Sequence, residues 1–262
     1  MPERSSYAHG VPSWVDVASP DVDASAAFYA GLFGWEHVAA GENPEETGGY
    51  GMFTKDGKLV AGIGPLQNSE QPPVWSTYVN VDDADDVVAK AQEAGGQVAM
   101  GPIDVMEAGR MAFLIDPSGA FIGIWQPGRH HGAELVSEPG ALGWNELATR
   151  DTDAAKEFYP AVFGWVPIPW EGSEIPYTTW NVDGQPVGGL MGMDENWPPE
   201  VPAHWMTYFI VEDADDAAAK TQELGGTVAV PPFDAPGVGR ITVLNDPHGT
   251  AFSVMAPEAA EE

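Results

Sequence analysis

Two carboxylates stand at matching places in this chain. Asp16 follows Trp14 by two residues, and Glu146 follows Trp144 by two. Residues two apart on a strand share a face, so each carboxylate shares its face with an indole. Turned into a desolvated interior among aromatic rings, such a carboxyl has its pKa raised and suits a general acid or base near neutral pH. Hydrogen-bonded to a neighbouring Tyr or Arg, the same carboxylate would instead hold strands together. Arg110 and Arg240, each opening a strand after a glycine, are available as such partners. The residues themselves leave both roles open.

Other chemistries find less support. With no cysteine there is no thiolate metal site, disulfide scaffold or cysteine nucleophile. Gly-x-Ser-x-Gly and a Ser-His-Asp order are missing, and the glycines match neither a phosphate loop nor a dinucleotide fingerprint. The histidines are scattered: His9 in the N-terminal arm, His37 after the first helix, His130 and His131 in a linker, His204 before a strand and His248 in a turn. Adjacent side chains in an extended linker diverge, so His130 and His131 make a poor chelate. The runs Asp82-Asp83-Ala84-Asp85-Asp86 and Glu212-Asp213-Ala214-Asp215-Asp216 lack the glycine and glutamate of a calcium loop and read as helix caps.

The elements that position the carboxylates are written more than once. Phe28-Tyr29-Ala30-Gly31-Leu32-Phe33-Gly34-Trp35 returns as Phe158-Tyr159-Pro160-Ala161-Val162-Phe163-Gly164-Trp165. The same offset pairs Trp14 with Trp144, Trp75 with Trp205, Tyr78 with Tyr208, Gly109-Arg110 with Gly239-Arg240 and Asp116-Pro117 with Asp246-Pro247. It slips by three where Tyr50 pairs with Tyr177, then recovers, as loop-length changes between homologous strands require. The chain is one unit duplicated, with domains at 1–131 and 132–262.

Within the first unit, Ser13 to Ala18 alternates as a strand and Ala26, Phe28, Tyr29, Leu32 and Phe33 fall at helical spacing up to Gly34. Strands follow near Glu36–Ala39, Tyr50–Thr54 and Leu59–Ile63, with Asp56-Gly57 as a hairpin turn. A strand at Trp75–Val81, a helix at Asp82–Ala94 and strands at Gln97–Met100, Arg110–Ile115 and Ala120–Trp125 repeat the order. The fold class is α+β, four βαβββ modules in two tandem domains.

The 262 residues hold 40 acidic against 10 basic side chains, a net charge of −30. That leaves no basic stripe for a phosphate backbone, so nucleic acid is excluded as a partner. A hydrophobic share of 44% with 10 Trp, 10 Phe and 7 Tyr marks a globular chain. The absence of a long apolar run or an apolar leader predicts a soluble cytoplasmic protein without a membrane partner, as monomer or homodimer. Acidity at helix starts and in the tail Glu258 to Glu262 serves solvation.

The modules, with Asp-x-x-x-Ala-x-x-Phe-Tyr and Phe-Gly-Trp on the first helix, Val-Asp-Asp-x-Asp before the second and Gly-Arg…Asp-Pro-x-Gly before the last strand, resemble the vicinal oxygen chelate superfamily. This is the glyoxalase, bleomycin-resistance and extradiol dioxygenase group. More narrowly, the tandem form is similar to actinobacterial glyoxalase-like proteins often labelled hydroxylase. The resemblance implies sheets wrapped around a small-molecule site, and in many members a metal held from the first and last strands of each module. Those positions fall here on Trp14, Ala61 or Gly62, Ser76 and Gly123, and on Trp144, Gly188 or Gly189, Met206 and Ser253. None carries His, Glu or Gln, so no metal and no cofactor are expected.

With the ligand positions facing inward, the lining becomes Trp14, Asp16, Ser76, Tyr78 and Trp125 in the first domain. In the second it becomes Trp144, Glu146, Met206, Tyr208, Ser253 and Met255, with Tyr50 and Tyr177 completing the two sets. Asp16 and Glu146 are the candidate catalytic groups. A small hydrophobic or aromatic ligand suits these walls. Three functions follow: metal-independent acid–base tailoring of a secondary metabolite by cyclisation, dehydration or ketal formation, ligand sequestration of the bleomycin-resistance type, and glyoxalase- or dioxygenase-like metalloenzyme activity.

Overall fold

The computed structural model describes residues 3–41, 47–68, 70–172 and 175–258; of the acidic tail only Glu258 lies within them. The first half runs β1 (Pro12–Ser19), α1 (Val22–Phe33), β2 (Glu36–Ala39), β3 (Gly51–Lys55), β4 (Lys58–Pro65), β5 (Val74–Asn80), α2 (Ala84–Glu93), β6 (Gln97–Val105), β7 (Gly109–Ile115) and β8 (Phe121–Pro127). The second half repeats it as β9 (Leu142–Thr149), α3 (Thr152–Phe163), β10 (Val166–Pro169), β11 (Tyr177–Val182), β12 (Gln185–Gly192), β13 (His204–Ile210), α4 (Ala214–Glu223), β14 (Thr227–Ala235), β15 (Gly239–Asn245) and β16 (Ala251–Pro257).

Local chemistry sets the helix ends. Asp21 and Asp151 cap α1 and α3 by accepting from the backbone amides of Ala24 and Ala154, at 3.0 and 2.9 Å. Gly34 and Gly164 close the same helices in the left-handed region, φ 72° and 71°, where a Cβ would be strained. Asp83 and Asp213 cap α2 and α4, so the acidic runs do the work of caps.

Each half forms one eight-stranded sheet, in the orders β2-β3-β4-β1-β5-β8-β7-β6 and β10-β11-β12-β9-β13-β16-β15-β14. The module seam is the antiparallel pair β1 and β5, where Asp16 lies opposite Ser76 and Trp14 opposite Tyr78. In the second sheet Glu146 lies opposite Met206 and Trp144 opposite Tyr208. Strand β6 runs past the expected end at Met100 to Val105, and β14 likewise crosses Pro231 and Pro232. Proline interrupts the alternation that sequence reading follows, but both strands are sheet edges, where a missing amide hydrogen is tolerated.

Alternation along β1 sends Val15 and Val17 into a core shared with the other half, and Trp14 and Asp16 to the opposite face. That shared core joins Phe28, Tyr29 and Phe33 of α1 to Phe209, Leu244, Phe252 and Val254 of the second sheet. Reciprocally, Val87, Val88 and Ala91 of α2 pack with Phe158, Tyr159 and Phe163 of α3. The helices therefore fill the space between the two sheets. Paired hydrogen bonds repeat the exchange: Tyr29 Oη donates to Asp246 and Tyr159 Oη to Asp116, at 3.1 and 2.9 Å, while Trp35 and Trp165 donate to the carbonyls of Gly140 and Gly10. The sheet faces turned away from the helices carry Asp16 and Glu146; we call these faces the first and second bowls.

Candidate functional site

Each bowl floor holds the same hydrogen-bonded chain. In the first, Trp14 Nε1 donates to Tyr50 Oη (3.0 Å), which donates to Asp16 Oδ2 (2.9 Å), and Tyr78 Oη donates to the same oxygen (3.0 Å). In the second, Trp144 Nε1 donates to Tyr177 Oη (2.9 Å), Tyr177 to Glu146 Oε2 (2.7 Å) and Tyr208 to Glu146 Oε1 (2.8 Å). Register explains the convergence. Trp14 and Asp16 lie two apart on β1, Tyr78 lies opposite Trp14 on β5, and the Tyr50 hydroxyl reaches over Gly62, the β4 partner of Asp16. A Cβ at Gly62 or Gly189 would occupy the place of the Tyr50 or Tyr177 hydroxyl.

Asp16 is half-buried, more open than Glu146, and its desolvation pushes the carboxyl up to about 6, outweighing the two phenol hydrogen bonds that favour its charged form. Glu146, 7% exposed, is pushed up for the same reasons. The four tyrosines are held well above their ordinary range by burial first and by the adjacent carboxylate second, so they stay protonated donors. A carboxyl pushed upward in pKa, beside two phenols that keep their protons, is a proton-exchange group with a fixed hydrogen-bond frame.

Arg110 and Arg240 take no part, which corrects their expected role as carboxylate partners. Arg110 pairs with Asp85 (3.0 Å) and Asp104 (2.8 Å), and Arg240 pairs with Asp215 and Asp234. Opening a strand at the sheet margin puts each guanidinium beside the helix-start aspartates, away from the bowl. The tyrosines hold both carboxylates. Tyr50 and Tyr177 carried a sequence signal, their pairing across the duplication, but their approach over a glycine exists only in the folded sheet.

Other expected residues divide by environment. Trp14, Tyr78 and Trp125 are 4, 5 and 7% exposed and pack with Ala133 of the inter-half linker. Trp144, Tyr177, Met206, Tyr208 and Met255 stay partly exposed, while Ser253 is fully buried on β16, opposite Tyr208. Ser76 is half-buried opposite Asp16. One cavity of about 520 Å³ is lined by Lys156, Trp170 and Tyr177 among others, and one of about 780 Å³ by Arg4, Lys58 and His130; neither is lined by Asp16 or Glu146. Of the adjacent histidines, His131 is exposed while the His130 ring turns inward against Trp14.

The family model described as Glyoxalase/Bleomycin resistance protein/Dioxygenase superfamily matches residues 12–124 and 129–254, one match per sheet. The chain belongs to this superfamily. It is 46% identical over 263 residues to CFP32 of Mycobacterium tuberculosis, which is named as a candidate glyoxylase, with 98% of each chain covered. It is 39% identical to the anthracycline biosynthesis protein DnrV of Streptomyces peucetius, covering 95% of this chain and 94% of that one. Among solved structures, the Mn(II)-bound glyoxalase of Novosphingobium aromaticivorans superposes with a TM-score of 0.62 at 17% identity, covering 96% of this chain and 84% of that one. The 2,3-dioxygenase LapB of Pseudomonas sp. KL28 gives 0.63 at 14%, covering 94% and 92%. These likenesses establish the shared fold.

A metal of the kind such folds carry does not fit the bowl floors. Each floor offers one carboxylate and two protonated phenols, and the strand positions that would supply ligands hold Trp14, Gly62, Ser76 and Gly123, or Trp144, Gly189, Met206 and Ser253. Among the described residues no three His, Asp or Glu side chains converge. Divalent transition metals require three or four such donors.

Proposed function

We propose that the protein binds a hydrophobic, oxygen-bearing aromatic molecule on its concave surface and transforms it by metal-independent acid–base chemistry, as a tailoring step in secondary metabolism. The carrying observation is the carboxyl bracketed by two phenols: buried, pushed up in pKa and placed on an aromatic floor. Kinship with DnrV, an anthracycline biosynthesis protein, supports a polycyclic polyketide as the substrate class. Dehydration, ring closure and ketal formation move protons and water without a change of oxidation state, so they call for no redox partner. In a dehydration the protonated carboxyl delivers its proton to the leaving hydroxyl, water departs, and the carboxylate takes the proton from the adjacent carbon. The tyrosine hydroxyls, whose protons go to the carboxylate, fix its orientation toward the ligand.

The test is turnover of hydroxylated polyketide substrates by wild type, Asp16→Asn, Glu146→Gln and the double variant. Loss of turnover in the double variant is expected; wild-type rates in all of them would end the acid–base reading. Metal analysis after dialysis against chelator is the companion measurement, and stoichiometric Mn, Fe, Ni or Zn would overturn metal independence. The net charge of −30 and the partly exposed Trp144 favour one second reading, sequestration of a cationic aromatic compound. It requires binding without product and affinity that weakens with salt.

A further inference from the structure

The two bowls have the same floor but different contents. In the first, the linker after β8 packs onto the face that carries Asp16. The His130 ring stands edge-on to Trp14, with centroids 4.4 Å apart and planes at 81°, and lies 5.5 Å from Trp125. Trp125 Nε1 donates to the His130 carbonyl at 2.8 Å. The segment is then laced down at both sides: Ala133 N donates to Ser13 O and Glu134 N to Leu59 O, each at 2.7 Å, while the Glu134 carboxylate accepts from Leu59 N at 2.9 Å. The N-terminal arm holds it from outside, with Tyr7 Oη donating to Ala133 O and Arg4 N to Glu134 O. Gly132, at φ +110°, lies so close to Ser13 that a Cβ would strike its carbonyl.

The result is a small apolar core of Trp14, Tyr78, Trp125 and Ala133 where a ligand would otherwise sit. Burial pushes His130 down to about 4, so the stopper is a neutral flat ring at physiological pH. In the second bowl no ring packs against Trp144 among the described residues, and Met255 stands where the first bowl has Trp125. A flexible thioether accommodates ligands of varied outline better than an indole does.

We infer that residues 130–133 are a built-in occupant of the first bowl, that the second bowl is the one ligand site of the chain, and that its ligand presents a flat ring to Trp144 as His130 does to Trp14. This rests on the proposed function in taking a bowl as a small-molecule site, and it adds which bowl, how many ligands and what shape. The linker shows the pose because both floors are built from the same Trp, Tyr, carboxylate and Tyr.

Hydroxyl-radical footprinting of the full chain with peptide mass analysis tests the occupant without a ligand. Trp144 and Met255 are expected to be modified several-fold faster than Trp14 and Trp125; equal rates would overturn the stopper. His130→Gly should raise the Trp14 rate and leave that of Trp144 unchanged, and an unmoved Trp14 would count equally against it. Titration with 1,8-dihydroxyanthraquinone then tests the site: one equivalent should bind and protect Trp144, and Trp144→Ala should weaken binding by about tenfold or more. Two equivalents, or protection of Trp14, would overturn the single site. No binding of this probe would overturn the flat-ring ligand and with it the aromatic substrate of the proposed function, whereas the footprint contrast fails only if the stopper does.

Discussion

Replacing Asp16 by Asn should alter how stability depends on pH in a direction opposite to most carboxylates. The folded protein holds the Asp16 carboxyl at about 6, against an ordinary value of 3.8. An acid whose folded pKa is raised binds its proton more tightly in the native state, so its contribution to stability is greatest when protonated and falls as pH rises from about 4 to about 6. A displacement of about two units corresponds to about 3 kcal/mol at 1.36 kcal/mol per unit. Wild type therefore carries that cost at pH 7.5 and is free of it at pH 3.5, whereas Asn carries no charge at either. Both tyrosines donate to Oδ2, so an amide oxygen in that place keeps both hydrogen bonds and the substitution leaves the titration as the pH-dependent difference. Urea unfolding followed by tryptophan fluorescence at the two pH values measures the effect. The stability of the variant relative to wild type should improve by about 3 kcal/mol between pH 3.5 and 7.5. A relative stability that does not change with pH would refute the desolvated, phenol-bracketed carboxyl.

His130 should show the converse slope: its ring is pushed down to about 4 from 6.5, so its stabilising effect is complete above about 6.5 and is lost as pH falls toward 4. His130→Phe should flatten acid unfolding over that window by about 3 kcal/mol, measured by urea midpoints across the same pH series. Gly189→Ala sets a Cβ against the Tyr177 hydroxyl and 2.9 Å from Trp144 Nε1, so it should abolish ligand binding in the second bowl. The overpacking costs about 1–3 kcal/mol of stability, and circular dichroism should remain native. Tyr159→Phe removes the hydroxyl that links Trp205 to the buried Asp116 across the two halves, at 2.9 Å on each side. It should cost about 2–3 kcal/mol in urea unfolding while leaving probe affinity within twofold, because Tyr159 packs in the core on the helix side of the sheet, opposite the bowl face.

The amino-acid sequence by itself determined the duplication, the module order and nearly every element. Those features are local or periodic: alternation along β1, helical spacing in α1, capping aspartates and the left-handed glycines Gly34 and Gly164 are each settled within a few residues. It also singled out Asp16 and Glu146, because a strand's two-residue period ties each to an indole. It offered tyrosine or arginine as their partners and could not choose between them. Arg110 and Arg240 were available in composition, yet salt bridges to helix-start aspartates claim them, and Tyr50 reaches Asp16 only because β3 and β4 fold back so that Gly62 leaves room for a hydroxyl. Only the tertiary structure decided how two matching floors differ in what covers them. The linker after β8 packs on the first bowl and helps bury Trp14, Tyr78 and Trp125, while among the described residues their counterparts Trp144, Tyr208 and Met255 remain partly open. A repeat in sequence specifies two equal surfaces, but a single covering strand of chain breaks that equality through contacts that no local pattern encodes.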